Sequence, residues 1–152
     1  MTIIRELLSY RLHTVANLLS RGAELRYRRE FGVSLWEWRS LALLGAASQP
    51  QSLNELARAA GIDKSQMSRV ISGLAERGAV LRGADAVDGR GVRLALSKSG
   101  RKLYQGLIRA AAQRDTAFRD CLSVKERQVF DQVLAKLAGR ARDFIHREKA
   151  VK

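Results

Sequence analysis

Residues 63–80 read Asp63-Lys64-Ser65-Gln66-Met67-Ser68-Arg69-Val70-Ile71-Ser72-Gly73-Leu74-Ala75-Glu76-Arg77-Gly78-Ala79-Val80, and their spacing predicts a short helix with two chemically opposed faces. Met67, Val70, Ile71 and Leu74 follow the i, i+3, i+4, i+7 rhythm of a buried stripe. The opposite face carries Ser65, Ser68, Arg69 and Ser72, with Lys64 and Gln66 near its start. Serines lower helix propensity, so a face that needed only to meet water would more often hold Glu and Lys. Short hydroxyls let a backbone approach closely, and an arginine among them can fork onto a guanine edge or a phosphate. This is the surface expected of a DNA recognition helix.

The flanks supply the punctuation. Asp63 is placed as N-cap with Gln66 at capping-box spacing, and Gly78 as the left-handed residue that ends the helix. Upstream, Ser52-Leu53-Asn54-Glu55 forms another capping box and opens a helix through Leu56, Ala57 and Ala60 that stops at Gly61. Two short helices meeting at Gly61-Ile62 have helix-turn-helix spacing, in which the second enters the major groove. An ordinary αα-hairpin satisfies the same spacing, and this segment alone does not choose between them.

Downstream, residues 79–82 and 92–96 each suit a strand, with glycine-rich, polar residues 83–91 between them, so the pair reads as a β-hairpin. A hairpin directly after a helix-turn-helix is a wing. Arg90, between two glycines at its tip, has the reach for a narrow minor groove, and Asp88 can accept from its guanidinium and aim it. A surface turn with opposite charges is the competing reading.

The remaining chain is helical by pattern. From Ile4, apolar residues step through Leu8, Leu12, Val15 and Ala16, Leu19, Ala23 and Tyr27, predicting one long helix that Gly32 breaks. Ser34 with Glu37 caps a second helix through Leu41 and Leu44, with Val33 and Trp38 at staple positions. Ser97 caps a fifth helix from Lys98 to about Leu122. Ser123 with Glu126 opens a sixth, whose stripe runs from Phe130 to Ile145. The fold class expected is mainly α with a small β-hairpin wing: a winged helix-turn-helix between long N- and C-terminal helices. Those flanking helices carry more apolar stripe than a compact lobe covers, which predicts an isologous dimer, with an intramolecular helical layer as the competing reading.

Composition narrows the partners. The 152 residues hold 28 Lys and Arg against 15 Asp and Glu, a net charge of +13. Self-repulsion of that size favours a polyanionic partner, with nucleic acid ahead of an anionic membrane surface. No apolar run has the length of a membrane span, and the charged start Met1-Thr2-Ile3-Ile4-Arg5-Glu6 does not fit a secretory signal. A cytoplasmic protein is expected. The single cysteine, Cys121, agrees with a reducing compartment and is expected to be a buried small apolar group. The two histidines, His13 and His146, lie far from it and from each other, so no metal site is expected. No phosphate-binding glycine fingerprint, nucleophile elbow or triad is present, so neither an enzyme nor a cofactor is expected.

Together these motifs resemble the MarR family of multiple-antibiotic-resistance regulators. The likeness rests on Asp63 to Arg69 leading to Leu74-Ala75-Glu76-Arg77-Gly78, on Asp88-Gly89-Arg90-Gly91, and on Leu96-Ser97-Lys98-Ser99-Gly100. It extends from about Ile4 to Ile145. Ser97 stands where the family often has threonine, which preserves capping, and Ala79-Val80 where a bulkier pair is common. The resemblance implies a single domain over 1–152, with dimerisation helices at 4–30 and 98–147 and a DNA-binding lobe at 34–97. It further implies a homodimeric transcriptional regulator, usually a repressor, on a pseudo-palindromic double-stranded operator. Ser65, Gln66, Ser68 and Arg69 would then face the major groove, with Ser72 on the same DNA-binding face, and Arg90, aimed by Asp88, the minor groove. Lys64, Arg82, Arg93 and Lys98 would contact phosphates. A small aromatic or phenolic carboxylate is the effector the family suggests, and Tyr10, His13, Trp36, Trp38 and Arg39 are the candidates for its pocket, Arg39 and Trp36 foremost; the competing reading makes both tryptophans core or dimer-interface residues and His13 an interfacial histidine. The competing function is a sequence-tolerant architectural DNA-binding protein, or a winged helix that holds RNA or protein.

Overall fold

The computed structural model describes residues 3–84 and 91–150. In chain order it has a 3-10 turn at Ile4–Glu6, then α1 (Leu8–Phe31), α2 (Leu35–Ala46), β1 (Gln51–Ser52), α3 (Leu53–Ala60) and α4 (Lys64–Glu76). The wing strands β2 (Val80–Ala84) and β3 (Val92–Leu96) follow, then α5 (Lys98–Arg119) and α6 (Val124–Ala150). The chain divides into two compact units, one up to Ala111 and one from Ala112 on. The fold is a winged helix-turn-helix with long helices before and after it.

The first unit is organised by its caps. Ser34 and Ser52 each accept the backbone N–H of the glutamate three residues on, and Glu37 and Glu55 each accept the serine's own amide, so both capping boxes are complete. Gly32 and Gly61 close α1 and α3 at φ of 64° and 71°, a left-handed geometry that glycine adopts without Cβ strain. Between these ends, Tyr27, Leu41, Leu56, Met67, Ile71, Leu74, Leu94 and Leu107 are buried in one core drawing on α1 to α5 and the sheet.

Three details differ from the sequence reading. The N-terminal helix is not continuous from Ile4: Leu7 is extended (ψ 133°), separating the 3-10 turn from α1. The sheet has three antiparallel strands in the order β1-β3-β2, because Gln51 and Ser52 pair with Leu94 and Arg93. The fifth helix stops at Arg119, short of Leu122.

The second unit is the end of α5, a turn and α6. Ser123 and Glu126 form the expected reciprocal cap, at 2.8 Å and 3.3 Å. Arg119 bridges Asp115 within α5 and Asp131 of α6, and Arg127 bridges Asp120. No residue of α6 is buried in the single chain. Cys121, expected to be buried, is exposed: it lies in the turn beyond α5, outside that helix's apolar stripe, with its thiol against the Phe118 carbonyl.

Candidate nucleic-acid interface

The buried face of α4 is closed by Met67, Ile71 and Leu74, none more than 1% exposed. Its N-terminus is capped by Asp63, which accepts the Gln66 amide at 2.8 Å. The reciprocal bond from the Gln66 side chain is absent among the described residues, so that amide group stays available to a ligand. On the outer side Lys64, Ser65 and Arg69 are exposed, and Gln66, Ser68 and Ser72 are half-buried. Lys64, Ser65, Ser68 and Arg69 line an open groove of about 450 Å³ floored by Leu53 of α3. This is a concave surface with two cations, hydroxyls and an apolar floor, the mixture that a phosphate backbone and base edges engage.

The wing side is more constrained. Arg82 donates to the Ser72 hydroxyl at 2.8 Å, tying β2 to α4. Arg93 bridges Glu55 at 3.1 Å, on the first turn of α3. Glu55 is held below the ordinary carboxylate range, first by the Ser52 amide and hydroxyl it accepts from, and then by the charges of Arg93 and Arg58. Lys98 is exposed at the start of α5. Asp88 and Arg90 lie outside the described residues. The groove therefore brings Lys64, Ser65, Ser68 and Arg69 together, while Arg82 and Arg93 are both engaged with side chains of the lobe.

The far end of α4 is also fixed. Ser97 donates to the Gly78 carbonyl at 2.6 Å and accepts the Gly100 amide at 2.9 Å, so one hydroxyl caps α5 and holds the turn after α4. Ser99 reaches the same carbonyl at 2.8 Å. Arg77 donates to the Gly32 carbonyl at 2.9 Å and to Glu37 at 2.8 Å. Sequence pattern singled out none of these long-range partners, because nothing local marks a residue that pairs 45 or 40 positions away.

A model of the MarR family matches residues 31–91. Solved structures match over nearly the whole chain. A MarR/EmrR family transcriptional regulator from Acinetobacter sp. ADP1 is 23% identical at a TM-score of 0.83, covering 93% of this chain and 99% of its own. A MarR family transcriptional regulator from Silicibacter pomeroyi DSS-3 is 28% identical at 0.75, covering 90% and 99%. MepR from S. aureus in a complex with DNA is 21% identical at 0.81, covering 88% and 98%. No curated protein sequence matches. The winged lobe belongs to the MarR family.

The pocket candidates of this MarR-family lobe separate into two groups. Arg39 and Trp38 border a cleft of about 290 Å³ with Ala42, Leu43, Ala59 and Ala60, between α2 and α3. Arg39 also lies over the Trp36 ring, 4.7 Å from its centroid, and donates to Ser20 of α1 at 3.5 Å. Trp38 packs against Tyr27 at 5.5 Å between ring centroids, so its ring is partly core. Tyr10 and His13 are exposed on the first half of α1 and do not line the cleft; His13 is bonded to Asn17 at 2.8 Å. Among the described residues no helix is long and apolar enough to cross a membrane.

Proposed function

We propose that this chain is a DNA-binding transcriptional regulator that acts as a homodimer. The observation that carries the reading is the outer face of α4: Lys64, Ser65, Gln66, Ser68 and Arg69 have no side-chain partner among the described residues, although the helix beneath them is capped and fully packed. Such a face is preorganised for an external acceptor, and a net charge of +13 favours a polyanion. The likeness to MepR, solved in a DNA complex, agrees with it. Ser65, Gln66, Ser68, Arg69 and Ser72 are assigned to base edges. Lys64, Arg82, Arg93 and Lys98 are assigned to phosphates, and Arg90 with Asp88 to the minor groove.

Dimerisation is assigned to residues 4–30 and 98–147, with the lobe at 34–97. Leu8, Leu12, Val15 and Leu18 of α1 are exposed in the single chain, as are Val129, Phe130, Val133 and Phe144 of α6. Leu122, Val129, Phe130 and Val133 also line an apolar cleft of about 560 Å³. Apolar surface on this scale is normally covered in water, and a second copy buries it symmetrically.

Regulation is assigned to the cleft beside Arg39. A small aromatic or phenolic carboxylate pairs its charge with the guanidinium and its ring with apolar walls. Its binding would release DNA, and the protein is assigned as a repressor relieved by that ligand. The deciding experiment is selection from a randomised duplex library, followed by measuring affinity for the enriched sequence against a scrambled one. A ratio of roughly 10³ or more supports a sequence-specific regulator. Equal affinities would make it an architectural protein, and no duplex binding would leave the winged helix to RNA or protein.

A further inference from the structure

Arg77 closes the C-terminal end of α4, the helix assigned to DNA, and its exposed guanidinium is bonded to two other elements of the same chain. One arm reaches the carbonyl of Gly32, the residue that caps α1, and the other reaches Oε1 of Glu37, in the first turn of α2. Glu37 in turn accepts the Ser34 amide through Oε2 at 2.7 Å, and the Leu35 amide donates to Glu24 of α1 at 2.7 Å. A single planar fork thus joins three helix ends. A cation belongs there, since the carbonyls at a helix C-terminus carry partial negative charge. Lysine is not its equivalent, because an ammonium is a point charge without the fork geometry that meets two fixed acceptors.

We infer that Arg77 is a positioning residue for DNA discrimination: with Glu37 it holds the recognition helix at one angle to the α1–α2 corner. The inference rests on the DNA-binding reading above. Base-edge hydrogen bonds need their donors held within a fraction of an ångström, whereas phosphate contacts tolerate displacement. Loosening the fork therefore degrades recognition of the preferred sequence and leaves general attraction to duplex DNA in place.

The test uses the full chain, the duplex enriched by the wild-type protein from a randomised library, and a scrambled duplex of equal composition. Arg77→Lys keeps the charge and most of the stem. Glu37→Gln keeps the Ser34 cap, for which glutamine also serves, and removes a negative charge. Each substitution is expected to lower the ratio of enriched to scrambled affinity roughly tenfold, with scrambled affinity within about twofold of wild type, and the double variant to lose no more than either single one. Glu37→Gln is the sharper arm, since by charge alone it would strengthen binding to every duplex. Circular dichroism and thermal melting confirm that each variant is folded. Wild-type ratios in both variants, or equal loss on both duplexes, overturn the inference. A wild-type protein that enriches nothing overturns the proposed function, and is seen before any substitution is made.

Discussion

Gly100 lies directly against the backbone carbonyl of Ala79, so that a Cβ at position 100 would be driven into the carbonyl oxygen. The first turn of α5 is therefore flush with the start of β2, and Ser97, three residues earlier, donates its amide to that same carbonyl at 3.0 Å. Backbone cannot give way as a flexible side chain can. Gly100→Ala is expected to destabilise the fold by about 1–3 kcal/mol, the usual range for forced overpacking, measured by denaturant unfolding. Wild-type stability would mean that this junction is looser than described.

Arg69 and Lys64 share one groove but are assigned different jobs. Arg69→Ala is expected to cost roughly 1–3 kcal/mol on the preferred duplex and to relax preference at one base pair. Lys64→Ala is expected to weaken all duplexes alike and to lower the salt slope by about one. Affinity titrations at several salt concentrations on matched and single-substituted duplexes separate the two. Uniform loss for Arg69→Ala would reassign it to phosphate.

Glu55 and Glu126, each in a capping box, give a sign for the acid response. Glu126 is held below the ordinary carboxylate range by the Ser123 amide and then by the Ser123 hydroxyl. A depressed carboxylate stabilises the folded state above its unfolded pKa, and the contribution is lost as pH falls through the folded value. Glu126→Gln retains cap geometry without the titration. The wild type is expected to melt higher than the variant at neutral pH, with the difference shrinking as pH falls below the ordinary glutamate range and vanishing once Glu126 is protonated in the folded state. A difference that persists in acid would show that the charge is not its source.

Arg39 gives a test of regulation that is independent of the DNA face. Benzoate or salicylate is expected to quench tryptophan emission, since Trp36 lies under the guanidinium and Trp38 borders the cleft. Arg39→Gln is expected to weaken that binding by about 1.5–3 kcal/mol, the worth of a charge-assisted hydrogen bond. Equal quenching in the variant would move the ligand elsewhere.

Legibility in the sequence tracked the range of the interaction. Ser34 with Glu37, Ser52 with Glu55 and Ser123 with Glu126 pair across three residues, so their capping boxes are legible in the sequence, as is the buried stripe of α4. Gly32 and Gly61 were readable as stops because a left-handed residue strongly favours glycine. What escaped depends on distant chain. Gln51 and Ser52 become a strand only because β3 offers an edge, and two residues carry no alternation. Cys121 is exposed because α5 ends two residues earlier, which takes it off the stripe. For the site, the groove-lining Lys64, Ser65, Ser68 and Arg69 were legible from periodicity, whereas the partners of Arg77, Arg82 and Arg93 were not.

Hydroxyl-radical footprinting on the enriched duplex tests the central claim most directly. Two copies, each seating one α4 in a major groove, are expected to protect two inverted half-sites centred about 34 Å apart on one face of the helix. A single asymmetric footprint, or protection that does not depend on sequence, would contradict the account.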